Sequence, residues 1–234
     1  MQHMKVVITG ASQGIGRGLA EKFAKHGADL FLTSRNMDKQ MHWVSDLMHK
    51  YDVPVSTYNA DLSIKEEVFA FSEAVIEGFG NVDVLINNAG IFEPGNVFDQ
   101  PDGQLEQMIN LNLYSAYHLT RKILPLMMRE KKGHIFNMCS VAALQAYPGG
   151  GAYSISKYAL EGFSKNLREE MKPYGIKVTS VHPGAVFTKA WEGFVERSRI
   201  MEVSDIADLI WAASQLSANA CVEDIVLRPQ LGDV

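Results

Sequence analysis

Two periodicities alternate along the chain. Short uninterrupted apolar runs, the pattern of strands buried on both faces, are each followed by a longer stretch whose apolar positions recur every three or four residues. The first run is KVVIT at 5–9; a glycine-rich stretch follows, and Ile15, Leu19 and Phe23 then fall at i, i+4 and i+8, which predicts a helix from Gly14 closed by Gly27. A second run at 28–33 precedes a predicted helix over 37–50, with Met41, Val44 and Met48 on one face. A short strand at 55–59 and a helix over 63–78 burying Val68, Phe71 and Val75 come next. Then follow a strand at 82–86, a helical region capped near Asp99 with its long segment over 105–129, a strand at 134–139, and a helix over 152–172 ended by Pro173 and Gly175. A strand at 176–181, a helix over 204–217 opened by Ser204 and Asp205, and a last short strand at 224–227 complete the pattern.

Strands that alternate with helices and read as continuous apolar runs imply an α/β fold, a Rossmann-like doubly wound parallel sheet of about seven strands with helices on both faces. With 234 residues and no linker, repeat or low-complexity tract, the expectation is a single domain over 1–234. Residues 2–4 do not enter the fold expectation. The least regular stretch, 183–203, carries Trp191 and Phe194, both read as exposed. Its length suggests a substrate loop near 185–200.

Composition narrows the class. The chain is 47% hydrophobic and 21% charged, enough apolar material for one sizeable core. Its 22 basic against 27 acidic residues, net charge -5, argue against a nucleic-acid partner. Two cysteines, Cys139 and Cys221, make no disulfide framework and suit a reducing compartment. No stretch has the length of a signal-peptide core or a membrane span, so the expectation is a cytoplasmic protein with no membrane partner. His42, Trp43, Met48 and His49 share a helix without metal-ligand spacing, and no metal is expected.

The glycines of TGASQGIG at 9–16 fall at 10, 14 and 16, where the first strand passes into the first helix. Backbone that must approach a pyrophosphate has no room for a Cβ there, and the helix N-terminus offers free N–H groups and a positive dipole end. The spacing differs from the usual GxGxxG fingerprint, so other positions must support a dinucleotide reading. The second strand ends in Thr33-Ser34-Arg35-Asn36, without the carboxylate that normally binds both ribose hydroxyls of NAD. The Arg35 guanidinium and Ser34 hydroxyl suit a 2′-phosphate instead, which favours NADPH/NADP+ over NAD.

Tyr153 and Lys157 lie four apart at the start of a predicted helix and project from one face. An ammonium there would stabilise a phenolate and lower the phenol pKa, making Tyr153 a general acid. Ser140 ends a strand on the carboxyl edge, where its hydroxyl can hold a substrate oxygen.

TGASQGIG, the NNAG at 87–90, Ser140 with YSISK at 153–157, and HPG at 182–184 together resemble the classical short-chain dehydrogenase/reductase family, in its motif order and over nearly the whole chain. The resemblance implies hydride transfer between NAD(P) and a carbonyl or alcohol carbon, and a homodimer or homotetramer. It implies a catalytic tetrad of Asn112, Ser140, Tyr153 and Lys157, with Asn110 the neighbouring competitor for the asparagine. It further implies cofactor contacts from Gly10, Ser12, Gln13, Gly14, Ile15 and Gly16 in the first turn, and from Ser34 and Arg35 after the second strand. Asp61 and Leu62 would border the adenine, Asn88, Ala89 and Gly90 would back the nucleotide, and Tyr153 and Lys157 would reach the nicotinamide ribose. Pro183, Gly184, Val186 and Thr188 would meet the nicotinamide end.

Two departures stand out. Gln13 occupies a position where some NADP-preferring members carry a second basic residue, so cofactor choice rests on Arg35. The tail CVEDIVLRPQLGDV lacks the glycine-rich ending frequent in the family, which bears on the tetramer interface formed there. The expected reaction is reduction of a ketone or aldehyde, with a moderately apolar substrate flanked by 92–96, 141–150 and 185–200. An NAD-dependent alcohol dehydrogenase and a catalytically silent NADP-binding regulator are the alternatives.

Overall fold

The apolar runs pair side by side, all in one direction. A computed structural model of the protein describes residues 3–233; Met1, Gln2, Val234 and the side chain of Ala190 lie outside the described residues. Seven strands, β1 (Lys5–Thr9), β2 (Asp29–Ser34), β3 (Val55–Asn59), β4 (Val84–Asn87), β5 (Gly133–Met138), β6 (Ile176–Pro183) and β7 (Asp224–Leu227), form one sheet in the order β3-β2-β1-β4-β5-β6-β7. Every neighbouring pair is parallel. The helices are α1 (Gly14–Lys25), α2 (Met41–Tyr51), α3 (Lys65–Phe79), α4 (Gln104–Met108), α5 (Ser115–Glu130), α6 (Gly151–Met171) and α7 (Val203–Ser214).

Successive strand side chains point to opposite faces, and both faces are dry. Val6 and Ile8 of β1 join Leu19 and Phe23 of α1, Val44 of α2 and Ile206 of α7 in one core. Val7, between them, packs on the other side with Phe71 of α3, Ile123 of α5 and Leu167 of α6. This two-sided burial is why the strands read as unbroken apolar runs.

The element order matches the sequence expectation, and four local details differ. Residues 37–40 form a 3₁₀ turn and α2 starts at Met41; its buried residues are Val44 and Leu47, while Met41 and Met48 are exposed. The apolar stripe of α2 is therefore narrower than predicted. Asp99 accepts from the Asn96 amide within a loop turn instead of capping a helix, and α4 begins after Gly103 in a left-handed conformation. A π turn, Ile109–Tyr114, interrupts the predicted long helix. The α7 cap reaches further back than Ser204: the Asp205 carboxylate accepts from the Glu202 amide at 2.9 Å, a capping box.

Gly16 sits where α1 passes under the end of β1. A Cβ there would press on the Gly10 carbonyl oxygen and lie 2.6 Å from the Asn88 side-chain Nδ2. Gly16→Ala should therefore cost about 1–3 kcal/mol by overpacking, read as a lower urea midpoint at unchanged m. A loss below about 0.5 kcal/mol, an ordinary surface change, would mean that the contact yields freely.

Candidate active site

From β1 the chain winds outward to β2 and β3, then returns to place β4 on the other side of β1. The carboxyl ends of β1 and β4 thus diverge, and a crevice opens at this switch point. The groups left without ladder partners are satisfied across the gap. Thr9 Oγ1 accepts from the Asn88 and Ala89 amides, each at 2.9 Å. The Asn88 side chain donates to the Thr9 carbonyl at 2.9 Å and the Gly10 carbonyl at 3.2 Å. Gly10 has φ +66°, and a Cβ there would meet the Ala89 Cα at 3.0 Å, so a side chain is excluded twice over.

At the α1 N-terminus Gln13 is extended and no side chain caps the first turn. The amide donors of Gly14, Ile15 and Gly16 therefore face the crevice without a side-chain acceptor, beside half-buried Ser12 and exposed Gln13. Thr188, from the loop after β6, lies against this turn, its methyl 3.2 Å from where a Gly14 Cβ would be. Ser34 and Arg35 stand at the end of β2, Ser34 half-buried and Arg35 exposed. Asp61 accepts from the Ser63 amide at 3.0 Å and hydroxyl at 2.7 Å. Burial alone would raise its pKa, but these bonds and the Arg35 charge hold it below the usual value. Its neighbour Leu62 is buried. An uncapped helix N-terminus, a glycine turn and an exposed cation at one sheet edge fit a phosphorylated dinucleotide.

The second half of the site lies over β5 and α6. Ser140 follows β5, its hydroxyl accepting from the Ala142 amide at 3.1 Å in a 3₁₀ turn. Tyr153 and Lys157 occupy the first turns of α6, as their spacing predicted. Burial pushes the Tyr153 phenol up to about 12, against an opposing hydrogen bond from Ser140. That direction is the reverse of the sequence expectation. The Lys157 ammonium donates to the Met138 carbonyl at 2.7 Å and stands 5.7 Å from the Tyr153 ring centre, while burial brings its own pKa down to about 8. The Phe92 ring meets Tyr153 edge to face, centres 4.8 Å apart, and is half exposed to the crevice.

The π turn turns Asn112 inward, and Asn110 stays half-buried. Asn112 Oδ1 accepts from the Ile91 amide at 2.8 Å; its Nδ2 donates to the Ile91 carbonyl at 3.0 Å and to the Ser156 hydroxyl at 2.9 Å. A Cβ on Gly90 would lie 3.1 Å from Asn112 Oδ1 and 3.5 Å from Lys157 Nζ, so Gly90 marks where the two approach. Pro183 ends β6, and the Gly184 amide donates to the Leu227 carbonyl at 2.8 Å. Val186 pairs with Met201, which closes the base of the irregular loop. Within that loop Phe194 is exposed, and Trp191 is half-buried in place of the exposure expected.

Sequence reading missed Thr9 and Ser156, although both lie inside quoted motifs. Their signal was position: one hydroxyl at the last residue of a strand, the other three residues beyond Tyr153.

Residues 4–198 match the family described as short chain dehydrogenase. An uncharacterized oxidoreductase of Staphylococcus epidermidis is 31% identical over 225 residues, 95% of this chain and 96% of that protein. Sepiapterin reductase of Chlorobaculum tepidum is 33% identical over 244 residues, 100% of this chain and 99% of that one. An alcohol dehydrogenase from the archaeon Thermococcus sibiricus, solved with 5-hydroxy-NADP, superposes with a TM-score of 0.90 at 27% identity, covering 98% of this chain and 97% of its own. With its parallel sheet, glycine turn and match along most of its length, the chain belongs to the short-chain dehydrogenase family.

Proposed function

We propose that the protein is an NADP-dependent reductase that converts a ketone or aldehyde to an alcohol. The carrying observation is geometric: Tyr153 and Lys157 share one face of the first turns of α6, the Lys157 ammonium 5.7 Å from the Tyr153 ring centre, at the sheet edge where β5 delivers Ser140, and the phenol holds a proton at neutral pH. A hydride comes from NADPH when it is bound. Gly10, Ser12, Gln13, Gly14, Ile15 and Gly16 hold its pyrophosphate, and Ser34 and Arg35 its 2′-phosphate. Asp61 and Leu62 border the adenine, Asn88, Ala89 and Gly90 back the nucleotide, and Pro183, Gly184, Val186 and Thr188 meet the nicotinamide end.

Ser140 and Tyr153 hold the substrate oxygen as negative charge develops on it, and Tyr153 delivers the proton to that atom. Lys157, its pKa brought down to about 8 by burial, holds the nicotinamide ribose and returns a proton to the phenol. Asn112 supports the water behind Lys157 and fixes the Ile91 backbone and Ser156, which border the same space. The substrate wall of Phe92, Leu144, Tyr147 and Phe194 exposes apolar surface and suits a moderately apolar carbonyl compound. Residues 185–200 act as the substrate loop, hinged where Val186 meets Met201. The working form is a cytoplasmic homodimer or homotetramer.

Two measurements test this reading. Tyr153→Phe should lower turnover of a ketone by about 100-fold or more, the usual contribution of general acid catalysis, with NADPH affinity nearly unchanged. Turnover retained above about a hundredth of wild type assigns the proton to another group. In cofactor titrations NADPH should bind about tenfold or more tightly than NADH, since a charge-assisted contact contributes roughly 1.5 kcal/mol or more. Arg35→Leu should remove that preference. Equal affinities in the wild type would contradict the NADP assignment.

A further inference from the structure

Tyr153, Lys157 and Glu161 stand at i, i+4 and i+8 on one face of α6, Tyr153 half-buried and the other two buried. The third brings a carboxylate, 4% exposed, beneath the reactive edge. Facing it is His182, fully buried at the end of β6, with Nε2 3.3 Å from Glu161 Oε2 and 3.6 Å from Asp224 Oδ1 of β7. The other ring nitrogen, Nδ1, lies 3.1 Å from the Ser140 carbonyl oxygen.

A carbonyl can only accept, so Nδ1 carries a hydrogen. A lone pair on Nε2 would then face the buried Glu161 carboxylate, with the exposed Asp224 carboxylate beyond it, so Nε2 is protonated as well and the ring is an imidazolium. Other groups share these carboxylates. Arg168 of α6 shares Asp224 at 3.5 Å and reaches Ser180 at 3.4 Å; Lys165 contacts the far oxygen of Glu161 at 3.1 Å; the Cys139 thiol donates to Glu161 at 3.6 Å.

We propose that His182, held as an imidazolium by Glu161 and Asp224, is a positioning residue that fixes Ser140 through its backbone carbonyl. The inference rests on the role proposed above for the Ser140 hydroxyl. Lys157 grips the Met138 carbonyl two residues earlier, so two buried cations hold the backbone on either side of Cys139. Cys139, Glu161 and His182 also bring three ligand atoms within 4.8 Å of one another. A metal ion bound there would take the lone pair of a His182 ring nitrogen in place of its proton, so metal and imidazolium exclude each other.

The pH dependence follows from the pair. Burial alone would lower the His182 pKa; hydrogen bonding to Glu161 and to the Ser140 carbonyl, with the charges of Glu161 and Asp224, outweighs it and raises the pKa above the usual value. A raised pKa means that the Nε2–H link to Glu161 is complete at low pH and lost as pH rises through it; Nδ1–H still reaches Ser140, but the ring is then anchored from one side only. Removing the Glu161 charge brings that loss to lower pH.

The first test needs no turnover: nitrogen-15 NMR of histidine-labelled wild-type protein near pH 7 should show both His182 ring nitrogens protonated. A neutral ring with a bare Nε2, or a stoichiometric transition metal in the purified protein, overturns the inference and leaves the proposed reductase activity standing. In the second, His182→Ala should lower kcat for ketone reduction by about tenfold with KM for NADPH within about twofold, and His182→Asn, which still donates to Ser140, should restore most of it without the alkaline loss. Glu161→Gln should shift the alkaline limb of kcat to lower pH. Unchanged kcat in His182→Ala overturns the proposal. Absence of any ketone turnover in the wild type counts instead against the activity, and the NMR result still decides the state of His182.

Discussion

A strand that ends inside a sheet leaves its last amide and carbonyl groups without ladder partners, and buried groups of that kind must be satisfied or the fold pays the desolvation. At the carboxyl ends of β1, β4 and β5 the partners are side chains. Thr9 and Asn88 cross-link the first two ends, Asn112 closes both hydrogen bonds of the Ile91 backbone, and Lys157 and His182 take the Met138 and Ser140 carbonyls. Each bond supports backbone beside a group to which the proposed function gives a reactive or binding role. The crevice is consequently built by the chain itself, in the geometry that the proposed chemistry uses.

Burial sets the charge states along the same edge. The Tyr153 phenol rises to about 12 because it is desolvated with only Ser140 to oppose the effect, and the Lys157 ammonium falls toward about 8 for the same reason with opposite sign. Deeper in, Glu161 drops to about 2: burial would raise it, and bonds from His182, Ser180 and Lys165 outweigh burial. One edge of the sheet therefore holds a phenol that keeps its proton at neutral pH, an amine near its titration point and a carboxylate that stays ionised there.

Much of this was legible in the residues. Unbroken apolar runs at β1, β2 and β4 required burial on both faces, which only a covered parallel sheet provides, and glycines at 10, 14 and 16 marked the turn beneath β1. The positions of Tyr153, Lys157 and Ser140 followed from spacing and strand ends. What spacing does not carry is tertiary. The π turn at 109–114 exists because Asn112 bonds to Ile91 and Ser156, both distant in sequence, and helix periodicity cannot register one extra residue held from outside. The upward shift of Tyr153 depends on burial depth and on where Lys157 spends its hydrogen bond, and four-residue spacing alone pointed the other way. Nothing in the sequence pattern marks Glu161, because its partner His182 reaches it only through the tertiary placement of β6.

The central claim is that side chains hold the site's backbone before any cofactor arrives. Amide hydrogen exchange in the cofactor-free protein tests it most directly, at Asn88, Ala89, Ile91 and Ala142, whose N–H groups donate to Thr9, Asn112 and Ser140 side chains. The account expects slow exchange at all four without cofactor and little further slowing when NADPH is added. Exchange at the rate of open loops, slowed only by NADPH, would show that the cofactor assembles the site and would contradict it.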